Sequence, residues 1–303
     1  MAREGFGETR PRTDRVASDR RPRRQLNDHA GGGLPAVGAS RGSPDRRRAP
    51  LPTRVDGLPR LPAAYDDALE TGLAGLWLRL DAAARSSLEI HVRLFLAWNE
   101  AFNLTSITEP GQVAVRHVLD SLTAVSLVMA RGTHQRIVDI GSGAGYPGLA
   151  LAVALPTATV TLVESVAKKA RFLETVTAAL GLAGRVSVVA ARAESLAAPV
   201  RAGRLPAYDV ATARAVGGLA DLVELGLPLL ATGGLLIAWK RGDLAAELAA
   251  ARRACAALGG GRIDVHDVPV TALAGHCLVS VEKRGPTPAA FPRPPGRRRA
   301  DPW

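Results

Sequence analysis

The sequence predicts an α/β fold, in which a doubly wound, mostly parallel sheet of seven strands follows a small N-terminal helical subdomain. The first observation behind this prediction is that short apolar runs alternate with helical segments after Gly132. Such alternation is typical of parallel strands joined by crossover helices. The second observation is a glycine-rich loop, residues 141–148, directly after the first apolar run. In an open sheet such a loop lies at the carboxyl edge of the strands, where ligands bind.

The composition of the first 60 residues predicts that they form a disordered arm. Residues 1–60 are rich in Arg, Pro, Gly and Ser, and the stretches 31–33 and 46–48 consist of glycine alone and arginine alone. A segment with so few apolar side chains cannot bury enough surface to offset the entropy lost on ordering its backbone.

Residues 61–131 predict the helical subdomain. Leucine, valine and aromatic side chains recur there at helical spacing in three stretches, roughly 69–80, 88–98 and 113–127. This periodicity places the apolar residues of each stretch on one face of a helix. We therefore expect amphipathic helices that form a small unit ahead of the sheet.

Residues 132–285 predict the sheet and its crossover helices. Seven short apolar runs have the length and composition of buried strands; they lie at 137–140, 160–163, 186–189, 208–212, 235–239, 263–268 and 277–283. Helical segments are expected from the glycine loop to about 155, and at 168–180, 219–230 and 244–258. The remaining residues, 286–303, are expected to form a basic, exposed C-terminal tail.

The composition predicts a soluble, cytoplasmic protein without a bound metal. Apolar residues make up 47% of the 303, which is enough for a large core. Cys255 and Cys277 are the only cysteines, and no C-x-x-C pair or Cys/His cluster is present, which disfavours disulfides and structural zinc. The most apolar stretch, 225–239, contains Pro228 and the glycine pair Gly233-Gly234, so it is too interrupted to cross a bilayer.

The net charge of +11 is concentrated at the two ends of the chain. Residues 1–60 and 283–303 are strongly basic, whereas the body between them is close to neutral. This distribution favours contact with a polyanion through the ends. A tail that is merely solvated would have the same composition.

The glycine loop favours a nucleoside ligand without a phosphate. Its glycines at Gly141, Gly143 and Gly145 follow the pattern G-x-G-x-G, whereas the dinucleotide fingerprint is G-x-G-x-x-G. Tyr146 occupies the place of the last glycine, and the Lys-Ser/Thr pair of a phosphate-binding loop is absent. Glycines at these positions allow the backbone to approach a ligand closely.

Two acidic positions strengthen this interpretation. Glu164 ends the second predicted strand, where a carboxylate can accept hydrogen bonds from both ribose hydroxyls of a nucleoside. An exposed loop glutamate is the alternative at this position. Ala193 and Glu194 follow the third strand, where they are candidates to hold the adenine edge.

Several segments, in order, resemble one family closely: the bacterial 16S ribosomal RNA guanine-N7 methyltransferases, RsmG or GidB. The resemblance covers about residues 65–300, and its segments are 98–100, 103–105, 116–122, 141–148, 164–165, 168–169, 192–194, 214–216, 233–234, 240 and 287–296. It implies a class I, Rossmann-like methyltransferase that uses S-adenosylmethionine on 16S rRNA of the small ribosomal subunit. It also implies that the cofactor is contacted by Gly141, Tyr146, Ala193, Glu194 and Arg214. Two departures are Tyr146, where Phe or Leu is common, and an extra residue before the glycine that follows Lys240.

The chemistry that this resemblance implies requires no general base, because guanine N7 carries a free lone pair and no proton. The enzyme has to hold N7 in line with the methyl group. We therefore assign no catalytic residue. Asp120 is a candidate to stabilise the cationic product, and capping or pairing within residues 116–121 is its alternative.

Five residues are candidates for contact with RNA phosphates: Arg116, His117, Lys168, Lys240 and Arg293. Arg293, together with Arg297–Arg299, is the most favoured on sequence grounds, because these arginines lie in the proline-rich tail that is expected to be exposed. Arg116 and His117 could instead help to shape the cofactor pocket. Further alternatives are a helix-packing role for His117 and a merely solvated surface position for the lysine at 168.

Three other functions remain open from the sequence. A small-molecule methyltransferase on the same fold would need an enclosed apolar pocket and no basic tails. A non-catalytic ribosome assembly factor would not need the intact glycine loop. A nicotinamide oxidoreductase is disfavoured by Tyr146 in the last glycine position.

Overall fold

A computed structural model describes residues 50–303, and the N-terminal part of this range is helical. The helices before the sheet are α1 (Ala63–Gly75), α2 (Ala82–Phe102), α3 (Pro110–Val113), α4 (Asp120–Leu122) and α5 (Val125–Met129). The third expected helix is broken, because a π-helical turn at Ala114–Leu119 separates α3 from α4. This turn brings the side chains of residues 116–120 to the edge of the sheet described below.

The strands are β1 (Arg136–Ile140), β2 (Thr159–Val163), β3 (Val186–Val189), β4 (Tyr208–Arg214), β5 (Leu230–Arg241), β6 (Gly260–Asp267) and β7 (His276–Lys283). They form one sheet in the order β3-β2-β1-β4-β5-β7-β6. The first five strands are parallel, and β7 runs antiparallel between β5 and β6. All seven predicted strands and the fold class are thereby confirmed. The strand order reverses between β1 and β4, so ligands are expected at the carboxyl ends of these strands.

Strand β5 is longer than the predicted 235–239. It begins at Leu230 and continues through Gly233, whose backbone has a φ of +85°. The register between β4 and β5 shifts between Tyr208 and Val210, as in a β-bulge. A bulge absorbs the extra residues, so the glycine pair bends the strand and does not end it.

The helices that flank the sheet are α6 (Gly148–Ala154), α7 (Ala167–Ala179), α8 (Glu194–Arg201), α9 (Leu219–Gly226) and α10 (Ala245–Leu258). Short α8 was not expected from the sequence, because it is only eight residues long and contains Pro199. A last helix, α11 (Pro295–Ala300), lies in the C-terminal segment. Among residues 50–303, no helix is both long enough and apolar enough to cross a membrane.

The N-terminal helices share their core with one face of the sheet. The buried face of α2 includes Phe95 and Trp98, and the Trp98 ring lies 5.3 Å from that of Phe172 on α7. The residues of α1, α2, α6 and α7 belong to one buried cluster. The predicted helical subdomain is thus a layer of the same core, without a separate hydrophobic interior.

Residues 50–60 pack on α2, although the sequence predicted them as the end of a disordered arm. The indole Nε1 of Trp98 donates to the carbonyl of Pro52 at 2.8 Å, and Arg93 donates to the carbonyls of Val55, Leu58 and Pro59. The acceptors for these donors are backbone groups, which composition does not reveal. The remainder of the predicted arm, residues 1–49, lies outside the described residues.

Candidate functional site

The loop between β1 and α6 requires glycine at two positions. Gly141 has a φ of +70°, and a Cβ there would lie 2.7 Å from Cγ2 of Val216. A Cβ on Gly145 would lie 2.5 Å from Cδ1 of Leu149. At Gly143 the nearest atom to an added Cβ is 3.8 Å away, so one side of this residue is open. The loop therefore presents bare backbone to a ligand.

Asp139, at the end of β1, supports the glycine loop through buried hydrogen bonds. Its side chain is 0% exposed, and its two carboxylate oxygens accept from the Thr212 hydroxyl at 2.7 Å and from the Gly148 amide at 3.1 Å. Burial raises the pKa of the Asp139 carboxyl, and these hydrogen bonds oppose the shift. No role was predicted for this residue, although an acid inside an apolar strand is a signal that it has buried partners.

Glu164 lies against the glycine loop, at the end of β2. One carboxylate oxygen accepts from the amide of Gly143 at 2.9 Å, and the other accepts from the amide of Val166 at 2.8 Å. A carboxylate oxygen can accept more than one hydrogen bond. Glu164 thus has the fixed orientation and the remaining acceptor capacity that contact with ribose hydroxyls needs.

A pocket of about 510 Å³ opens at the carboxyl ends of β1, β2 and β3. Its volume is in the range of small-molecule sites. Three predicted cofactor residues line it, namely Gly141, Ala193 and Glu194. The other lining residues come from these strand ends, from α9 and from the C-terminal segment: Ile140, Val163, Ser165, Ala191, Arg192, Val216, Asp221, Leu222, Leu225, Pro295, Arg298, Arg299 and Pro302.

Arg214, another predicted cofactor residue, lies at the end of β4 in an adjoining polar cluster. Its guanidinium donates to Asp120 at 2.9 Å and to the carbonyl of Arg116 at 3.0 Å. It also lies 5.6 Å from the ring centroid of Tyr146, which is a cation–π distance. The cluster thus joins residues that lie about a hundred positions apart in the chain.

Asp120 is fixed by partners from three strands. Its carboxylate accepts from Arg214 and lies 3.0 Å from Nδ1 of His276, and its carbonyl accepts from the indole of Trp239 at 2.6 Å. The alternative of side-chain pairing within residues 116–121 is therefore wrong. Because its carboxylate is only 5% exposed and is held between Arg214 and His276, we expect Asp120 to orient the arginine.

Two neutral histidines enclose the Tyr146 ring. The ring centroids of His91 and His117 lie 4.4 and 5.2 Å from that of Tyr146, in stacked arrangements. Burial lowers the pKa of His91 to about 4, and burial together with the charge of Arg214 lowers that of His117 to about 4. The position of His117 matches the helix-packing alternative, because its ring is held inside this cluster.

Lys240 is not available for RNA in this structure. Its ammonium donates to the carbonyl of Gly217 at 2.9 Å and lies 2.5 Å from the Glu247 carboxylate. The same carboxylate accepts from the amide of Leu219 at 2.8 Å. Lys240 thus joins β5, α10 and the loop after β4, and the sequence did not reveal this internal ion pair.

Arg293 is also turned inward, which corrects the expectation of an exposed tail. Its side chain is 12% exposed and forms an ion pair with the fully buried Glu224 at 2.7 Å. Burial alone would raise the pKa of Glu224, but hydrogen bonds from Arg293 and Trp303 lower it below its ordinary value. Phe291 and Trp303 stack beside the pair. The proline-rich segment folds back because these groups need buried partners.

Two of the five RNA candidates lie at the surface. Arg116 is exposed beside His276, with 3.5 Å between a guanidinium nitrogen and Nε2 of the histidine. Lys168 is exposed at the start of α7, with its ammonium 5.4 Å from the ring centroid of Phe102. Arg297 and Arg299 on α11 are exposed as well.

The C-terminal wall of the pocket could not be found from the sequence. Arg298 is an ordinary member of a basic run, yet its guanidinium reaches Glu194 at 2.6 Å across 104 positions of the chain. No local pattern predicts such a pair.

Within the described residues, His, Cys, Asp and Glu side chains nowhere form a group of three or more that could hold a metal ion.

Comparison with known proteins places the chain in a family. The family model described as rRNA small subunit methyltransferase G, GidB, matches residues 84–271. A relative named ribosomal RNA small subunit methyltransferase G, from Roseiflexus castenholzii, is 45% identical over 229 residues, which are 74% of this chain and 94% of that protein.

Relatives with the same name come from distant bacteria. The protein of Symbiobacterium thermophilum is 38% identical over 242 residues, which are 77% of this chain and 96% of the relative. That of Sorangium cellulosum is 44% identical over 208 residues, which are 69% of this chain and 84% of the relative. The chain therefore belongs to the GidB family of S-adenosylmethionine-dependent ribosomal RNA small subunit methyltransferases.

Proposed function

We propose that this protein transfers the methyl group of S-adenosylmethionine to N7 of a guanine in 16S ribosomal RNA, with the small ribosomal subunit as its partner in the cytoplasm. The observation that carries the proposal is the pocket beside the glycine loop, lined by Gly141, Ala193 and Glu194. Its residues suit a nucleoside ligand. The preference for N7 rests on the sequence resemblance to the guanine-N7 family.

The residues of the pocket, and of the glycine loop and strand end beside it, fit S-adenosylmethionine. The open side of Gly143 leaves backbone exposed to the methionine end, and the carboxylate of Glu164 beside it retains acceptor capacity for the ribose hydroxyls. Ile140, Val163 and Leu222 provide apolar surface for the faces of an adenine ring. When bound, the cofactor supplies a methyl group on a positively charged sulfur.

Arg214 is suited to hold the carboxylate of the cofactor's methionine part. A guanidinium has five donors, and Asp120 and the Arg116 carbonyl share a single nitrogen of this one. A second nitrogen lies 3.4 Å from Nδ1 of His117, and two of the five donors have no partner among these contacts. The charge of Asp120 balances that of Arg214, and the neighbouring His91 and His117 are neutral because their pKa values are about 4. The cluster therefore adds little positive charge near a sulfonium.

The reaction itself needs positioning more than proton transfer. Guanine N7 attacks with a lone pair, so the chain has to orient the base and exclude water. The exposed guanidinium of Arg116 and ammonium of Lys168 are the proposed phosphate contacts that bring RNA to this edge. Of the C-terminal arginines, Arg297 and Arg299 remain candidates because they are exposed, whereas Arg293 faces inward.

The test is transfer of tritiated methyl groups to isolated small subunits and to free 16S RNA, followed by nucleoside analysis. We expect the label in 7-methylguanosine. Label in another nucleoside would refute the assignment to N7. Label in neither RNA substrate would favour a small-molecule methyltransferase or a non-catalytic assembly factor.

A further inference from the structure

The C-terminal segment 288–303, here called the strap, is fastened to α9 by a buried charge. Glu224 of α9 is 0% exposed and accepts from the amide of Arg293 at 2.6 Å, from its guanidinium at 2.7 Å and from the Trp303 indole at 2.7 Å. An ionised carboxylate without partners is very costly to bury. The strap provides all of these partners, so its position on the body is well determined.

Aromatic and backbone contacts fasten both ends of the strap. The rings of Phe291 and Trp303 stack with centroids 5.8 Å apart, and the Arg293 guanidinium lies 4.8 Å from the Trp303 ring. Arg201 of α8 donates to the carbonyl of Phe291 at 2.8 Å, and Arg253 of α10 donates to that of Trp303 at 2.9 Å. The strap is therefore held to three helices at once.

This attachment places α11 against the pocket. Pro295, Arg298, Arg299 and Pro302 form its C-terminal wall. Arg298 donates to the Glu194 carboxylate at 2.6 Å and to the carbonyl of Arg293 at 2.8 Å. The side chains of Arg298 and Glu194 are 12% and 18% exposed, so this pair is largely shielded from solvent.

We infer that Arg298 is a positioning residue for the cofactor. It binds one oxygen of the Glu194 carboxylate and so directs the other toward the amino group of the adenine, while the strap closes this end of the pocket. The inference rests on the proposed cofactor function. Glu194 begins α8, and its Oε1 carries the bond to Arg298. A charge-assisted bond of this length restricts the carboxylate to one orientation.

The inference predicts a loss of base discrimination when the arginine is removed. The probes are S-adenosylhomocysteine and S-inosylhomocysteine, in which an oxygen acceptor replaces the 6-amino group and N1 carries a proton. The unaltered protein should bind the adenosyl compound at least about tenfold more tightly, since an unmatched hydrogen bond to a charged group is worth that factor or more. In Arg298→Ala this ratio should fall, because the adenosyl compound binds more weakly, and only the discrimination at N1 should remain.

The experiment is calorimetry with both ligands on the unaltered full-length protein and on four variants. Arg298→Lys keeps the positive charge but replaces the planar guanidinium with a compact ammonium group. We therefore expect a ratio of the two affinities between those of the unaltered protein and Arg298→Ala. Arg297→Ala removes an exposed arginine from the same helix and should keep the full ratio. Glu194→Gln should lower the ratio directly. Melting curves accompany each variant.

Three outcomes would overturn the inference. If the affinities for both ligands fall equally in Arg298→Ala, the strap closes the pocket but does not orient Glu194. If Glu194→Gln lowers the ratio but neither Arg298 variant does, Glu194 is oriented without the arginine. If the unaltered protein binds neither ligand, the proposed function itself fails, and the inference fails with it. Should Arg298→Ala not fold, Arg298→Lys carries the test: an intermediate ratio supports the inference, and an unchanged ratio overturns it.

Discussion

Side chains that do not line the pocket determine the shape of its glycine loop. Asp139 accepts hydrogen bonds from β4 and α6, and the His91 ring donates from α2 to the Ala144 carbonyl at 2.8 Å. Each of these groups is buried and joins two separate elements. Substitutions at the loop and at its supports should therefore have different effects, the first on ligand binding and the second on stability.

At the loop, Gly143→Asp should weaken binding of S-adenosylmethionine by at least about 100-fold, because it places a charged side chain in the ligand space. The fold should survive, since nothing lies within 3.4 Å of an added Cβ. Calorimetry and melting measure the two effects. Gly181→Asp is the matched control, because Gly181 also has a positive φ and open space around its Cβ. Unchanged affinity in Gly143→Asp would contradict the placement of the cofactor.

The buried histidines predict an acid-sensitive stability. The pKa values of His91 and His117 fall from the ordinary 6.5 to about 4 in the folded protein. Between these pH values the unfolded chain binds protons that the folded chain does not, so stability falls as the pH drops from 6.5 toward 4. Each histidine contributes a loss on the order of a few kcal/mol, at about 1.4 kcal/mol for each pKa unit.

Urea unfolding at pH 7.5, 6 and 5 measures this effect. His91→Gln keeps a donor for the Ala144 carbonyl but cannot titrate, so its stability should depend less on pH than that of the unaltered protein. His134→Gln changes an exposed histidine and should keep the full dependence. Equal slopes in all three proteins would show that His91 is not the source.

At the scale of elements, local patterns predicted the strands well and the partners of charged residues poorly. The runs at 137–140, 160–163 and 186–189 become β1, β2 and β3 almost unchanged. The inner strand β1 is buried along most of its length, and burial on both faces of a parallel sheet requires a nearly continuous apolar sequence. The π-helical turn at Ala114–Leu119 has no such signature. Nor do the ion pairs of Lys240 and Arg293, whose partners lie in other elements and depend on the tertiary fold.

Because Lys240 forms an internal ion pair, its removal should affect stability and not RNA binding. Lys240→Ala should lower stability by about 1–2 kcal/mol, because it leaves the Gly217 carbonyl and part of the Glu247 carboxylate without a donor. The salt dependence of RNA binding should not change. A melting temperature that stays constant while the salt slope falls by about 0.7–0.9 would instead identify Lys240 as a phosphate contact. Arg116→Ala is the comparison in which that smaller slope is expected.

At the scale of the whole molecule, segments from both ends of the described chain complete the fold. Residues 50–60 pack on α2, and the strap packs on α8, α9 and α10 and forms a wall of the pocket. Composition predicted an arm and a tail, because few apolar residues were available in either segment. The ends are instead ordered through Trp98, Arg93 and Glu224, which lie in the body and bind backbone groups or arginine.

Truncation tests this role of residues 50–60. A chain that begins at residue 61 should melt about 5 °C or more below one that begins at residue 50, because it loses the acceptors of Trp98 and Arg93 together with the partly buried Leu51 and Leu58. Scanning calorimetry of the two proteins measures the difference. Equal melting temperatures would mean that residues 50–60 add nothing to the stability of the body.

The central claim is that this pocket methylates N7 of a guanine in 16S RNA. The most direct measurement is mass spectrometry of nucleosides from small subunits of a strain that lacks the gene and is complemented with different variants. We predict that 7-methylguanosine falls in the deletion strain, returns with the unaltered gene and with Gly181→Asp, and does not return with Gly143→Asp. An unchanged level of 7-methylguanosine in the deletion strain, with the loss of a different methylated nucleoside, would contradict the claim.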